Sequence, residues 1–180
     1  MSDVGPEFDL TRICDVSRET IQSLRVYANL LEKWNKTINL VSKSTINHMW
    51  ERHFLDSAQL WPHIPENAKT LVDIGSGAGF AGLVLAIIGK EKNPNLRVVL
   101  IESDTRKCAF MRNVSRETNI NVEIITKRIE EVDDLKADVV TARALATVSQ
   151  LLDYSKNILK KKGICLFLKG DACASELIEA

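Results

Sequence analysis

Two kinds of hydrophobic pattern alternate along this chain, and together they predict strands that are each followed by a helix. Short, mostly apolar runs, typical of buried parallel strands, occupy residues 71–74, 96–101, 122–125, 137–141 and 164–168. Between these runs, apolar residues recur every three or four positions over residues 80–88, 105–118 and 147–159, which predicts helices. The pattern predicts an α/β fold with a doubly wound, mostly parallel sheet whose strands all end along one edge.

The N-terminal third shows helical spacing but no strand pattern. A helix is predicted from Ser17, with Ile21, Leu24, Ala28, Leu31 and Trp34 on one face. A second helix is predicted over residues 45–60 and ends before Pro62. Residues 1–13 read as a loose arm, and residues 65–67 lead into the first strand.

Several breaks in the pattern predict connections. The first core helix should stop near Gly89, so that residues 90–95 form a solvated loop. The basic residues 160–162 and Gly163 predict a turn before the fifth strand, and a further helix is expected to begin at Ala172.

A glycine-rich turn joins the first strand to its helix, with the sequence Asp-Ile-Gly-Ser-Gly-Ala-Gly-Phe over residues 73–80. Glycine permits a positive φ and lets a ligand approach the backbone, and the start of a helix offers unpaired N–H groups to a polar ligand. Phe80 stands where the dinucleotide fingerprint Gly-x-Gly-x-x-Gly has its third glycine. The spacing therefore favours S-adenosylmethionine over NAD, and a purely structural turn is the alternative.

Glu102 is the second sign of a nucleoside site. It ends the second predicted strand, beside the glycine turn, where a carboxylate can accept hydrogen bonds from both ribose hydroxyls. Other residues with useful chemistry also follow the predicted strand ends: Gly75, Arg128, Ile129, Glu130, Arg143 and Lys169. Because parallel strands end at one edge of a sheet, we expect these residues to meet there.

Composition narrows the class of protein. A chain of 180 residues with 45% apolar and 27% charged residues matches one ordinary soluble domain. Membrane-length apolar runs and a signal-peptide pattern are not seen in the sequence, so we expect a cytoplasmic protein without a membrane partner. The four cysteines show no Cys-x-x-Cys pair, so neither a metal site nor a disulfide framework is expected. With 24 basic and 24 acidic residues, a nucleic-acid partner would have to bind local basic patches.

The assembled motifs resemble the bacterial GidB family, first called glucose-inhibited division protein B. The matching segments are Trp-Asn-Lys-Thr-Ile-Asn-Leu at 34–40, Arg-His-Phe-Leu-Asp-Ser at 52–57, the glycine turn at 73–80, Arg-Ile-Glu-Glu at 128–131, Arg-Ala at 143–144 and Leu-Lys-Gly at 168–170. The resemblance implies the class I S-adenosylmethionine-dependent methyltransferase fold, which is Rossmann-like, with an N-terminal helical cap. It also implies S-adenosylmethionine as donor and methylation of a guanine N7 in 16S ribosomal RNA within the small ribosomal subunit.

The resemblance also assigns site residues by position. The implied cofactor contacts are Gly75, Ser76, Gly77, Gly79, Phe80, Glu102, Ile129, Glu130 and Arg143, with the pair at 129–130 near the adenine. Candidates for RNA binding are Lys36, Arg52, Lys107, Arg128 and Lys169, each with a solvated surface role as its alternative. No residue is assigned as acid or base, because guanine N7 has no proton to lose. Arg143 is a candidate for positioning, and His53 is expected to be a hydrogen-bonded packing residue.

Domain organisation follows from the same comparison. We expect an arm and helical cap at residues 1–66 and a methyltransferase core at residues 67–180, within one monomeric domain. The family finishes its sheet with two further strands, one of them antiparallel, whereas this chain ends at Ala180, soon after the fifth predicted strand. The C-terminal strands are therefore expected to be missing, with an unusually short sheet as the alternative.

Alternatives stay open at this point. Residues 141–144 read Thr-Ala-Arg-Ala, where exocyclic-amine methyltransferases carry Asn/Asp-Pro-Pro-Tyr, and no cysteine lies there for cytosine-C5 chemistry. These absences fit N7 chemistry, but they also fit a small-molecule methyltransferase in which the N-terminal helices form a lid. A non-catalytic module that binds S-adenosylmethionine or RNA is a third possibility. A NAD enzyme is disfavoured by the glycine spacing.

Overall fold

The computed structural model describes residue 10, residues 13–143 and residues 145–170 of the chain. A five-stranded sheet, parallel throughout, runs through these residues in the order β3-β2-β1-β4-β5. The strands are β1 (Thr70–Ile74), β2 (Arg97–Ile101), β3 (Val122–Ile125), β4 (Ala137–Arg143) and β5 (Leu159–Leu168). The strand order reverses beside β1, which confirms the predicted doubly wound topology.

Four α-helices of two turns or more accompany the strands in the described part of the chain. They are α1 (Arg18–Asn35), α2 (Gly82–Lys92), α3 (Thr105–Glu117) and α4 (Val148–Ser155). Ser17 caps α1 by accepting a hydrogen bond from the N–H of Thr20, and Asp104 caps α3 in the same way. The apolar face predicted for α1 is buried against the core. The predicted arm lies mostly outside the described residues, and the helix predicted from Ala172 lies wholly outside them.

The second predicted helix, over residues 45–60, was wrong as a single α-helix. The chain instead forms a 3₁₀ turn (Ile46–His48), a π-helical segment (Trp50–Leu55) and one α-turn (Asp56–Ala58), followed by a 3₁₀ turn (Trp61–His63). In a regular α-helix the N–H of Asp56 would bond the carbonyl of Arg52, but here it bonds the carbonyl of His53. The Arg52 carbonyl accepts from Arg143 of the sheet. A tertiary contact thus competes with the local α-helical pattern.

The predicted stop at Gly89 was also wrong, since α2 continues to Lys92. Gly89 lies inside the helix and packs against the ring of Trp61, and its carbonyl accepts the closing hydrogen bond from Asn93. Residues 90–92, expected in a loop, form the last turn of α2.

The turn predicted at Gly163 is part of β5, which begins at Leu159 rather than at Ile164. Pairing with β4 jumps from Leu159, opposite Ala137, to Ile164, opposite Val139, so this strand pair contains an irregularity. A Cβ on Gly163 would lie 2.9 Å from the carbonyl oxygen of Ala137. A glycine inside a strand commonly marks such a bulge. The preceding helix correspondingly ends at Ser155, not at residue 159.

Aromatic side chains join the N-terminal helices to the sheet. Tyr27 of α1 stacks on Phe80 with ring centroids 5.1 Å apart, and Phe54 meets both rings edge-on at 5.1 and 5.2 Å. Phe110 of α3 lies 6.1 Å from Tyr27, and the Tyr27 hydroxyl donates to the carbonyl of Ala78. We call α1 together with residues 46–63 the cap. Its buried residues belong to one hydrophobic cluster with those of α2 and α3.

Glu91 fastens the start of α1 to the end of α2. Its Oε2 accepts from the N–H of Ser17 at 2.9 Å and from the hydroxyl of Thr20 at 2.7 Å. Burial alone would raise the pKa of Glu91, but the hydrogen bonds from Thr20 and Ser17 outweigh it and lower the pKa to about 2. The stabilisation is therefore complete above the ordinary value of 4.5 and is lost as the pH falls through about 2.

Glu91→Gln is expected to lower the free energy of unfolding by about 1–2 kcal/mol at pH 7, because it removes charge-assisted hydrogen bonds. The difference from wild type should shrink as the pH falls from about 4.5 towards 2, where the native carboxylate is protonated. Urea unfolding at several pH values measures this difference. Glu66→Gln, on the exposed linker, is the matched control. A pH-independent difference would contradict the role given to Glu91.

Two glycines of α2 offer a contrast in packing. A Cβ on Gly82 would overlap the side chain of Leu100 and lie 2.8 Å from the Cβ of Asp73, whereas one on Gly89 would make ordinary van der Waals contacts with Trp61 at 3.5 Å and Leu96 at 3.7 Å. Gly82→Ala is expected to lower the free energy of unfolding by about 1–3 kcal/mol through overpacking. Gly89→Ala should raise it by about 0.5–1 kcal/mol, because alanine is the better helix former. Urea unfolding of both variants tests the contrast, and equal effects would contradict it.

Candidate functional site

The glycine turn lies at the carboxyl end of β1 and is bonded to the neighbouring strand. Gly75, Gly77 and Gly79 have φ of 61°, 57° and 92°, the left-handed region that favours glycine. The N–H of Ser76 donates to the carbonyl of Ile101 at 3.0 Å, and that of Gly77 donates to Oε2 of Glu102 at 2.9 Å. The turn is therefore held against the end of β2.

Glu102 connects three elements at this edge. Its N–H donates to the carbonyl of Ile125 on β3, and its Oε1 accepts from the N–H of Asp104 at 2.8 Å. Asp104 in turn caps α3. The carboxylate of Glu102 thus lies between the glycine turn and the start of α3, half-buried.

A cavity of about 120 Å³ opens between these elements. Its lining includes Gly75, Ile101, Glu102, Ile129 and Glu130. The short 3₁₀ helix Ile129–Glu131 brings its residues there from the end of β3, and Arg128 at its start also lines the cavity. Four of the predicted cofactor residues, at 75, 102, 129 and 130, therefore share one cavity.

The cavity suits an adenosine in chemical character. Isoleucine side chains supply apolar walls for a base, the left-handed glycines keep the backbone accessible, and a half-buried carboxylate can accept from ribose hydroxyls. Leu145 narrows the space, since its Cδ1 lies 2.6 Å from where a Cβ on Gly75 would stand. The residues present fit the nucleoside part of S-adenosylmethionine.

Asp73 lies beneath the glycine turn, fully buried. Its Oδ1 accepts from the hydroxyl of Thr141 at 2.6 Å, whereas its Oδ2 has no hydrogen-bond partner among the described residues. Burial raises the pKa of this carboxyl, and the hydrogen bond from Thr141 opposes the rise. The side chain of Asp73 therefore joins β1 to β4 just before the glycine turn.

Arg143, the last residue of β4, lies where the cap meets the sheet. Its Nη1 donates to the carbonyl of Arg52 at 3.1 Å and approaches Nδ1 of His53 at 2.7 Å. Its Cζ lies 4.9 Å from the centre of the Phe80 ring, a cation–π contact. In register, Ile74 of β1 pairs with Ile101 and with Ala142. Glu102 and Arg143 each follow one of these partners, so they flank the glycine turn on its two sides.

A second and larger hollow, of about 620 Å³, opens beside Arg143. We call it the groove, and most of its lining residues have polar side chains: Thr45, Arg52, His53, Asp56, Gln59, Arg143, Leu168, Lys169 and Gly170. It lies between the cap and the ends of β4 and β5. Two RNA-binding candidates, Arg52 and Lys169, line it, and Nζ of Lys169 donates to the carbonyl of Ala146 at 2.7 Å.

The remaining RNA-binding and cofactor candidates lie at different places in the structure. Arg128 lines the nucleoside cavity, whereas Lys36 is exposed just after α1 and Lys107 is half-buried in the first turn of α3. Phe80 is only 3% exposed and its ring packs under the cap, so the predicted cofactor contact at Phe80 would have to involve its backbone. Ser76 is also buried, and its hydroxyl donates to the carbonyl of Asp73.

Sequence reasoning missed several residues of this site, among them Leu145, Tyr154 and Thr45. Leu145 and Tyr154 line the nucleoside cavity, and Thr45 binds His53 in the wall of the groove. Leu145 and Tyr154 lie in or after the connection from β4, where the pattern carried no polar signal. Thr45 was only the expected start of a helix. Nothing in the linear pattern distinguishes these side chains from ordinary surface positions.

Metal and membrane features are not found in the part of the chain that the structure describes. Its His, Cys, Asp and Glu side chains nowhere gather in a group of three or more that could hold a metal ion. None of its helices combines the length and the apolar character that a membrane crossing requires. Cys14, Cys108 and Cys165 are free thiols, and burial raises the pKa of Cys14 to about 11.

Solved structures share this fold. A SAM-dependent O-methyltransferase from Thermotoga maritima superposes with a TM-score of 0.60 at 14% identity, covering 85% of this chain and 54% of that one. Coclaurine N-methyltransferase bound to N-methylheliamine and SAH gives a TM-score of 0.54 at 17% identity, covering 90% and 57%. The chain thus spans a little over half the length of these proteins. The fold is that of class I S-adenosylmethionine-dependent methyltransferases.

Sequence comparison gives a closer relationship. A protein of Paramagnetospirillum magneticum called ribosomal RNA small subunit methyltransferase G is 53% identical over 174 residues, covering 97% of this chain and 82% of its own length. The protein of that name from Rhodospirillum centenum is 52% identical over 165 residues, covering 92% and 74%. The profile of the GidB family, described as rRNA small subunit methyltransferase G, matches residues 20–180. The chain therefore belongs to the GidB family.

Proposed function

We propose that this protein transfers a methyl group from S-adenosylmethionine to N7 of a guanine in 16S ribosomal RNA of the small ribosomal subunit. Membership of the GidB family supports the reaction class and the kind of substrate. The observation that carries the proposal to this chain is the arrangement at the carboxyl edge of the sheet. There, Gly75 and Glu102 line a cavity at the ends of β1 and β2, and Arg143 lines a groove at the end of β4, the strand on the other side of β1.

The cofactor would be held by the residues of the nucleoside cavity. Glu102 would bind the ribose hydroxyls, Ile129 and Glu130 would face the adenine, and the glycine turn would lie against the rest of the molecule. S-adenosylmethionine supplies an electrophilic methyl group on its sulfonium. Arg143 would bind either the cofactor carboxylate or the target base, since its guanidinium lies across the glycine turn from Glu102.

The chemistry at N7 requires little from the protein besides alignment. Guanine N7 has an exposed lone pair, so no side chain must remove a proton, and holding the two reactants in line is the main contribution. Methylation leaves a positive charge on the base. Asp56 lines the groove and offers a carboxylate that can stabilise that charge.

The substrate is proposed to be the folded subunit rather than free RNA. The chain has no net charge, so its electrostatic attraction for naked RNA should be weak and should fall steeply with salt. In a paired A-form helix N7 lies in a deep, narrow groove, so the guanine should be unpaired or extruded. Arg52 and Lys169 would meet RNA at the mouth of the groove, with Arg128, Lys36 and Lys107 as further contacts.

We further propose a cytoplasmic monomer in which the arm and cap (residues 1–66) and the core (residues 67–180) form one domain. The hydrophobic cluster shared by cap and core supports the single domain. Cytoplasmic localisation follows from a ribosomal substrate.

Incubation with labelled S-adenosylmethionine and unmethylated small subunits tests the proposal. The subunit RNA is then treated with borohydride and aniline, which cleave the chain at 7-methylguanine. Cleavage at one position, with little on naked RNA, is the expected result. Label in a small metabolite would indicate a small-molecule methyltransferase, and cofactor binding without any transfer would indicate a binding module.

A further inference from the structure

His53 occupies an unusual place for a histidine on a cap helix. The side chain is 7% exposed, and its ring stacks on Phe80 with centroids 5.0 Å apart. Its Nδ1 lies 2.7 Å from Nη1 of Arg143, and its Nε2 lies 3.0 Å from the hydroxyl of Thr45. The ring therefore bridges the end of β4 and Thr45, the residue just before the 3₁₀ turn Ile46–His48 of the cap.

The hydrogen-bond partners of His53 determine which tautomer its imidazole ring adopts. A guanidinium only donates hydrogen bonds, so Nδ1 must be the acceptor and the proton must be on Nε2. Nε2–H then donates to Thr45, whose hydroxyl donates onward to the carbonyl of Ser42 at 3.1 Å. All three hydrogen bonds run in one direction, from Arg143 to Ser42. Burial, together with the charges of Arg143 and Arg52, lowers the pKa of His53 to about 4, which agrees with a neutral ring.

These contacts leave the guanidinium of Arg143 only partly used by the protein. The hydrogen bonds that the structure records for it in the described chain all leave from Nη1, towards the carbonyl of Arg52 and the ring of His53. Phe80 lies against one face of the group. The remaining donors belong to a side chain that lines the groove, where Asp56 and Lys169 also lie. The orientation of these remaining N–H donors is thus determined by the groups that Nη1 binds.

We propose that His53 is a positioning residue, which, with Thr45 behind it, fixes the guanidinium of Arg143 at the mouth of the groove for methyl transfer. This inference rests on the proposed function, because it assigns Arg143 to that reaction. His53 of the cap and Arg143 of the sheet are both required for this arrangement. The cap therefore contributes to catalysis by orienting a core side chain, besides covering the core.

Substitutions at position 53 separate positioning from packing. His53→Phe keeps an aromatic ring on Phe80 but removes the acceptor for Arg143, and it is expected to lower kcat on small subunits by about 10- to 100-fold, since a misplaced group can cost that much. His53→Asn places an amide oxygen near the position of Nδ1 and should recover kcat to within about threefold of wild type. The KM for S-adenosylmethionine should change less than kcat in both variants. His48→Asn, on an exposed residue of the same segment, is the matched control.

A coupling measurement tests whether His53 acts through Arg143. In an Arg143→Lys background, His53→Phe should lower kcat by less than about twofold, because the guanidinium that His53 orients is already absent. Thr45→Val should lower kcat less than His53→Phe does, and Thr45→Ser should restore it. Full additivity of the two substitutions would overturn the proposal. Wild-type kcat in a folded His53→Phe variant would overturn it as well.

A spectroscopic readout keeps this inference distinct from the proposed function. Long-range ¹H–¹⁵N correlation of the full chain near neutral pH should show His53 as the Nε2–H tautomer, and the Nη resonances of Arg143 should be resolved by slow rotation. These resonances should merge in His53→Phe and separate again in His53→Asn. If wild-type protein failed to methylate subunits but gave these spectra, the result would contradict the proposed function. It would still support the inference that His53 fixes the guanidinium of Arg143. An Nδ1–H or protonated ring would overturn the positioning role whatever the activity.

Discussion

Replacement of Arg143 by alanine is expected to reduce methyl transfer to small subunits by at least about 100-fold, the usual effect of removing one preorganised donor at a reaction centre. Its Nη1 binds the cap at 3.1 and 2.7 Å, while the side chain lines the groove. The free energy of unfolding should also fall by about 1.5–3 kcal/mol, because hydrogen bonds from a charged group to the cap are lost. Methyl transfer by Arg143→Lys should also be slower than in wild type, since an ammonium group cannot reproduce the planar set of N–H donors of a guanidinium.

Binding measurements distinguish the two roles left open for Arg143. If the guanidinium binds the cofactor carboxylate, calorimetry will show weaker binding of S-adenosylmethionine by Arg143→Ala. If it binds the target base, cofactor affinity will be unchanged and only kcat or the KM for subunits will change. Arg97→Ala is the control, because Arg97 begins β2 at the opposite edge and pairs with Glu123 on the surface. Wild-type turnover by Arg143→Ala would contradict both roles.

Replacement of Glu102 by alanine is expected to weaken binding of S-adenosylmethionine by roughly 10- to 100-fold, which corresponds to losing hydrogen bonds worth about 1.5–3 kcal/mol to a charged acceptor. The carboxylate is expected to contribute to cofactor binding in two ways. In the structure it accepts from the N–H groups of Gly77 and Asp104 at 2.9 and 2.8 Å, which shapes the turn. In the complex it would also accept from the ribose. Titration calorimetry measures the combined effect.

A cofactor analogue separates these two contributions of Glu102. An analogue of S-adenosylmethionine without ribose hydroxyls should bind wild type more weakly than the cofactor does. Glu102→Ala should bind cofactor and analogue nearly equally if the carboxylate contacts the ribose. Glu117→Gln, at the exposed end of α3, is the control for charge loss. An undiminished preference of Glu102→Ala for the hydroxylated cofactor would assign Glu102 to the turn alone.

Prediction from sequence succeeded where local pattern and topology agreed. The five apolar runs became five parallel strands, and their parallel pairing brought the residues at 75, 102, 129, 130 and 143 to one edge of the sheet. The helix predicted from Ser17 begins there because the serine side chain caps it. In these places each residue's own preference and its neighbours in sequence favour the same structure.

Prediction failed where distant contacts outweighed local pattern. Residues 45–60 have helical spacing, yet the carbonyl of Arg52 binds Arg143 and the part from Trp50 to Leu55 is π-helical. The sequence predicts a helix stop at Gly89, but this glycine packs against Trp61 within a continuing helix. It also predicts a turn at Gly163, although this residue lies in β5 beside an irregular pairing with β4. In each case the deciding partner is far away along the chain.

The sequence by itself determined the α/β class, the glycine turn, the acidic residue after β2 and, through its motifs, membership of the GidB family. These features depend on residue type and short spacing, which can be read along the chain. Only the tertiary structure decided that His53 joins Thr45 to Arg143 and that Leu145 lies over Gly75. Hydrogen-bond partners and close packing depend on the relative placement of separate elements, and a linear pattern does not specify that placement.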